Sequence, residues 1–412
     1  MKTYSFFISC FLCACWFLSG CSKSSDTPTR NSPVKTISVA PEVASNVSNF
    51  AFNFFNVLQQ TQPKTDNIFV SPLSLHMDLG MLLNGANGNT YTQLQNALNL
   101  NGLSISEINQ AYQTLLQDLP NVDNQVQLTL ANAMWYENSY SIKSGYVDTL
   151  KNYFQSPATA APFDASTADA VNQWASEKTN GKINNVTSAK EVQDLVMLLV
   201  NALYFKGNWA SQFDKNATQP QTFTMENGTT KQVQMMQQIN TFVYSQKATY
   251  SAIRLPYGNG QFSMTILLPT QGNTIESVMN NFTAANWNAF QQDTLKQSVQ
   301  VGLPRFTIPA YNVDLNTTLQ SMGVTDAFSK SNADFSTISA IKLFVSLVKQ
   351  FTYLNVDETG TEAAAVTVIG TQTTSAPIQP TFTCDHPFGF IISEKTSNTI
   401  LFMGRIMNPD SQ

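Results

Sequence analysis

Charge is what this sequence has least of. Only 12% of its 412 residues are Asp, Glu, Lys or Arg, the net charge is −5, and no run of like charge occurs. Gripping nucleic acid or another polyanion needs a basic stripe, so neither is expected as a partner. Histidine is scarcer still, with His76 and His386 the only two. Neither belongs to a His-x-x-x-His pair or a Cys/His cluster, so no metal site and no cofactor is expected. The Gly-x-Ser-x-Gly elbow and the glycine patterns of nucleotide-binding loops are missing too. A Ser–His hydrolase would have to recruit one of the two histidines from spatial neighbours, and the chain is not expected to be an enzyme. Of five cysteines, four lie at or before position 21 (Cys10, Cys13, Cys15, Cys21) and one at Cys384. At 42% hydrophobic residues, the rest of the chain has ample material for a core.

Lys2 precedes an apolar segment over residues 4–18 that is short for a membrane span. It ends in Leu18-Ser19-Gly20-Cys21. This resembles a bacterial lipoprotein signal, with a short apolar core, small residues, and Cys21 as the lipidated first residue of the mature chain. A plain signal peptide or an uncleaved anchor is the alternative. The resemblance implies that residues 1–20 leave, and that Cys21 anchors the protein to the bacterial cell envelope, periplasm-facing or surface-exposed. Cys384 would then be the one thiol of the folded body, too few for an internal disulfide, and it reads as a small buried residue. Residues 21–44 are rich in Ser, Thr and Pro without periodicity and read as a flexible tether. Residues 45–412 read as one globular domain.

Within that domain, Val47, Phe50, Phe54 and Leu58 recur at helical spacing over 43–61. Asn67-Ile68-Phe69-Val70 reads as a short strand. Ser71-Pro72-Leu73-Ser74 carries helix-start chemistry, with Ser71 as N-cap and Pro72 at the first helical position. That helix is expected to end at Gly85, and 85–90 to form a turn. Residues 105–119 read as a second amphipathic helix and 128–136 as a strand. Met197-Leu-Leu-Val-Asn-Ala-Leu-Tyr-Phe-Lys-Gly-Asn-Trp209 reads as a strand of a large sheet, and Asn227-Gly228 marks a hairpin.

The stretch Asp357-Glu358-Thr359-Gly360-Thr361-Glu362-Ala363-Ala364-Ala365-Val366-Thr367 reads as a loop that could become a strand. Gly360 permits a sharp backbone change. Beyond it every second residue (Thr361, Ala363, Ala365, Thr367) is small and uncharged, while Glu362 falls on the opposite set. Periodicity alone leaves a short helix at 363–365 or an ordinary strand open. Gly360-Thr361-Glu362-Ala363-Ala364-Ala365 resembles the mobile hinge of the serpins, the conformational-trap protease inhibitors. Ser71-Pro72-x-Ser74, the 197–209 strand, Leu303-Pro304-Arg305-Phe306, Asp385-His386-Pro387-Phe388 and 401–409 resemble serpin segments in the same order. Together they cover about residues 45–409.

That resemblance implies an α+β fold with about eight or nine helices around three β-sheets, and an exposed reactive-centre loop over about 358–378. It implies a suicide inhibitor. A protease's nucleophile attacks the loop and forms an acyl-enzyme as the scissile bond breaks, the loop inserts into the central sheet, and the protease is trapped covalently. Counting forward from the hinge places the scissile bond at Thr374–Ser375; counting back from Pro387 places it nearer Ala376, so the range is 372–376. Glu358, Gly360, Thr361, Glu362, Ala363, Ala364 and Ala365 would form the hinge. Ser71, Ser74, Asn201 and Gln350 would form the polar cluster where the sheet parts, with Trp209 where the loop enters. The partners implied are target proteases, elastase-, subtilisin- or papain-like, met by a monomer. No heparin-type cofactor is expected, since the basic cluster near 105–119 is lacking. Two positions depart from the family. Gln350 replaces a usual histidine, and Asp78 a usual small residue; both are expected to belong to a rewired polar cluster, with Asp78 reaching solvent at the helix edge as the alternative. The alternative function is a non-inhibitory binding module at the cell envelope.

Overall fold

The computed structural model describes Met1 and residues 35–361 and 379–410. Within residues 35–410 the described chain forms a two-sheet α+β body. Residues 35–44, which the expected tether of 21–44 includes, belong to the folded body. Ile37 is buried, its amide donates to Thr396 Oγ1 at 3.0 Å, and Lys35 pairs with Asp118 at 2.8 Å. One apolar side chain and two backbone contacts suffice to seat residues that composition alone reads as linker.

Six strands make the sheet that matters here: β2 (Val126–Glu137), β3 (Ala158–Ala161), β4 (Met197–Asn208), β10 (Phe306–Asp314), β11 (Leu347–Val356) and β12 (Gly360–Thr361). Their order is β10-β11-β12-β4-β2-β3. Of the twelve residues of β4, all but Lys206 and Asn208 are buried. A strand covered on both faces shows a continuous apolar run rather than alternation, which is how 197–209 reads in the sequence. Leu199 and Leu203 join the main core, whereas Leu198, Val200 and Ala202 pack on Val171 and Ala175 on the other side.

The other nine strands are β1 (Ile68–Val70), β5 (Gln219–Thr224), β6 (Thr230–Gln246), β7 (Tyr250–Pro256), β8 (Phe262–Pro269), β9 (Lys296–Pro304), β13 (Thr381–Thr383), β14 (Phe388–Glu394) and β15 (Ile400–Ile406). They form one hydrogen-bonded sheet. The implied second and third sheets are joined because the 17-residue β6 serves both. Its first part pairs with β5 and β9, and its last four residues with β7.

Ten α-helices occur among the described residues. Six bear on the site: α1 (Pro41–Thr61), α2 (Pro72–Gly85), α3 (Gly88–Ala97), α4 (Ile105–Asp118), α5 (Ser144–Thr149) and α6 (Ala165–Lys178). Ser71 caps α2 by accepting from Ser74 N, and Pro72 opens it, as its sequence dictates. Every α2 residue but Asn84 is buried, so α2 is the spine between the sheets. Ser104 and Glu107 close a reciprocal capping box on α4. One local expectation fails: Gly88, Asn89 and Thr90 are not turn but the first residues of α3. Asp334, far along the chain, overrides their poor helix propensity. Its carbonyl accepts from Asn87 N at 2.9 Å and its amide donates to Thr90 Oγ1 at 3.0 Å.

Candidate functional site

β11 and β4 run parallel and pair residue for residue from Leu347↔Leu198 to Thr352↔Leu203. Above that they part. Val356 pairs instead with Thr361, and Gly360 and Thr361 pair with Asn208 and Gly207. The first two residues of the predicted hinge strand therefore sit wedged between β11 and β4, antiparallel to both.

Four predicted residues, Glu358, Gly360, Thr361 and Trp209, converge at this wedge with their neighbours Asp357 and Thr359. Trp209 N donates to Thr359 O at 2.8 Å and Trp209 Nε1 to Asp357 O at 3.0 Å. The Trp209 indole stacks on Tyr257 with centroids 4.4 Å apart, and Tyr257 Oη lies 2.8 Å from Thr361 Oγ1. Thr361 is fully buried. The turn before it is fixed by Asp357 Oδ1, which accepts from Thr359 N and Gly360 N at 2.8 and 3.2 Å. Glu358 is 1% exposed and accepts from Arg305 Nε with both oxygens, at 2.7 and 2.8 Å, while Thr218 Oγ1 donates to Oε1 at 2.5 Å. Burial pushes its carboxyl up, but Arg305 and Thr218 outweigh that and hold it below the usual glutamate range.

Gly360 is glycine because of crowding. A Cβ there would lie 2.1 Å from Gly207 O and 2.6 Å from Asn208 Cα, both backbone atoms of β4. Gly360→Ala is expected to cost about 3 kcal/mol in urea unfolding, at the upper end of overpacking penalties, because no flexible side chain can yield.

The lower end of the slot holds the predicted polar cluster. Gln350 and Asn201 face each other across the β11–β4 pair, and Gln350 Nε2 donates to Asn201 Oδ1 at 3.0 Å. Gln350 also clamps the α2 N-cap, accepting from Ser71 N at 2.7 Å and donating to Ser71 O at 3.0 Å. Ser74 Oγ donates to Asn132 Oδ1 at 2.6 Å. Asn201 Nδ2 donates to Asn132 Oδ1 at 3.2 Å and to Asp78 Oδ2. Asp78 is fully buried, which removes the solvent-reaching alternative and puts it in the cluster with Gln350. Burial raises its carboxyl well above the usual range, opposed by Asn201.

Sequence reasoning gave no role to Asn132, Tyr257, Thr218 or Arg305. Asn132 is one polar residue inside the apolar strand Leu128–Tyr136, and that signal could have found it. Arg305 and Thr218 reach Glu358 across 53 and 140 positions and carry no local mark. Glu362, Ala363, Ala364, Ala365, Thr374, Ser375 and Cys21 lie outside the described residues.

Neither histidine has a serine or cysteine partner among the described residues. His76 is buried, which depresses its pKa to about 4, with Tyr112 Oη on Nδ1 at 2.8 Å and Leu98 O on Nε2 at 3.1 Å. His386 sits against Asp385 and Pro269 O. Cys384 is a free, buried thiol, and burial pushes its pKa well up.

Comparison with known proteins accords with this geometry. A sequence profile described as Serpin (serine protease inhibitor) matches residues 45–409. Serpin B6 of Pongo abelii is 34% identical over 369 residues, spanning 87% of this chain and 97% of that protein. The solved native structure of the thermophilic serpin tengpin is similar with a TM-score of 0.84 and 28% identity, covering 91% of this chain and 96% of tengpin. Human thyroxine-binding globulin is similar with a TM-score of 0.81 and 28% identity, covering 90% of this chain and all of that one. The chain belongs to the serpin family.

Proposed function

We propose that this serpin inhibits proteases as a suicide substrate, cut near Thr374–Ser375 and trapping the protease by inserting the loop from Thr361 onward between β11 and β4. The wedge of Gly360–Thr361 between those strands is the observation that carries this reading. Extending it converts one parallel pairing into two antiparallel ones, the slightly more stable ladder, and removes no existing strand. A strand running from Thr361 to Thr374 would reach about 45 Å at about 3.3 Å per residue. Dragging an acylated protease that far strains the geometry on which deacylation depends, and an error of about 1 Å costs about a hundredfold.

The branched polar Thr374 before the bond disfavours proteases that require Lys or Arg. Elastase-, subtilisin- or papain-like targets fit better. The chain acts as a trap rather than a catalyst, as a monomer held at the cell envelope by lipid on Cys21. Incubating residues 35–412 with these proteases and trypsin, then running denaturing gels with mass analysis of the released peptide, tests the reading. A denaturant-resistant adduct and a peptide beginning at or beside Ser375 are expected. Loop cleavage without adduct would point instead to a binding module on the same fold.

A further inference from the structure

The polar cluster contains one group the trapping reaction does not require. Asp78 projects from α2 toward β4 and is fully buried, with Oδ2 taken by Asn201 Nδ2 and Oδ1 without any hydrogen-bond partner. Asn132 Nδ2 on β2, whose Oδ1 accepts from Asn201 and Ser74 in the same cluster, is also buried and unpartnered. No lysine or arginine pairs with Asp78 among the described residues. The two buried cations among the described residues bind elsewhere: Arg405 of β15 donates to Pro63 O and Asp66 O, and Lys349 of β11 pairs with Glu191 at 2.7 Å. Tyr146 of α5 lies within range of its charge, and the Tyr146 hydroxyl donates to Met81 O at 3.0 Å. His76, two positions earlier on α2, lies about 200° round the helix and binds Leu98 O and Tyr112 of α4.

We propose that Asp78 is a proton-operated latch on the β11–β4 slot. With its proton on Oδ1, the carboxyl holds Asn201 of β4 to α2 as a neutral pair. Losing that proton leaves a charge in a dry cluster with one amide donor and no counter-ion, a state relieved when β4 shifts from α2 and water enters. Gln350 and Asn201, which face each other across the slot, are the pair that such a shift separates. Proton release and slot opening are thus one equilibrium. The sign follows from linkage. The folded carboxyl binds its proton more tightly than the open or unfolded one, so its contribution to stability is full below the ordinary carboxylate range and falls as pH rises toward the folded value. Within that window the open fraction grows about tenfold per pH unit for the single proton. As regulation of the proposed trap, this makes insertion faster at higher pH, a consequence that rests on the insertion reading. The latch itself is testable without any protease.

The test compares the full domain with Asp78→Asn, which keeps an acceptor for Asn201 and replaces the acid hydroxyl by an amide. Urea unfolding and amide exchange in β4 and β11, corrected for intrinsic exchange, would be followed from pH 5 to 9. The wild type is expected to lose stability relative to the variant as pH rises, by up to about tenfold in equilibrium constant per unit, with β4 amides opening in step. Parallel curves for the two proteins would overturn the latch. Should the variant not fold, the wild type alone decides by its infrared spectrum at pH 7 after exchange into heavy water. A protonated-carboxyl stretch that disappears on alkalinisation supports the latch, and the absence of any such band overturns it. Loss of adduct formation with the latch intact would count against the trapping reading alone.

Discussion

Glu358→Lys is expected to destabilise the folded domain by about 4 kcal/mol and to open the top of the β11–β4 slot. Glu358 is 1% exposed and is the acceptor for Arg305 and Thr218 together. Arg305 is about a third exposed, so water can rehydrate it when the carboxylate goes. The neutral replacement Glu358→Gln should therefore cost about 2 kcal/mol, between the cost of an exposed pair and that of a fully buried one. Lysine adds a second cation where Arg305 already stands, which accounts for the larger figure. The pH dependence has a definite sign. A carboxylate held below its usual range contributes stability above about pH 4.3 and loses it as pH falls through the folded value. The gap between wild type and Glu358→Gln in urea unfolding should therefore be constant near neutrality and close in acid.

Thr361→Arg is expected to abolish trapping while leaving the loop cleavable, lowering adduct yield more than tenfold with little change in the rate of loop cutting. Thr361 is fully buried between β11 and β4, hydrogen-bonded to Tyr257 and flanked by the Trp209 stack. An arginine there either buries an unpaired charge, which costs several kcal/mol, or stays in solvent and keeps the strand from growing. Because the substitution lies far in sequence from Thr374–Ser375, recognition by the protease should survive. Thr361→Val, which keeps shape and loses the hydroxyl, should retain most of the adduct. Gel densitometry of adduct against cleaved inhibitor at fixed protease gives both numbers. Adduct yield unchanged in the arginine variant would remove Thr361 from the inserting face.

Local signals carried much of this structure. Ser71-Pro72 states its own cap, Ser104 and Glu107 their box, and the run from Met197 its double-sided burial. The alternation from Thr361 onward reads as a strand that could insert; its first residue lies between β11 and β4, and the rest of it falls outside the described residues. What sequence could not supply were partners. Glu358 looks like an ordinary hinge carboxylate until Arg305 and Thr218 arrive from elsewhere. Asp78 could equally face water or the cluster, because the polar residues of α2 (Ser74, His76, Asp78 and Asn84) do not gather on one face that would orient it. The union of two expected sheets through β6 was likewise invisible, since a 17-residue strand gives no sign of changing neighbours along its length.

Insertion of the loop between β11 and β4 is the centre of the account, and the unfolding temperature before and after a single loop cut tests it most directly. A strand of about fourteen residues gaining about 1 kcal/mol per net hydrogen bond should raise the midpoint by at least about 15 °C. Amides at the upper ends of β11 and β4 that face the gap between the two strands should become more protected in the same sample. A midpoint that stays where it was, with those amides exchanging as before, would contradict it.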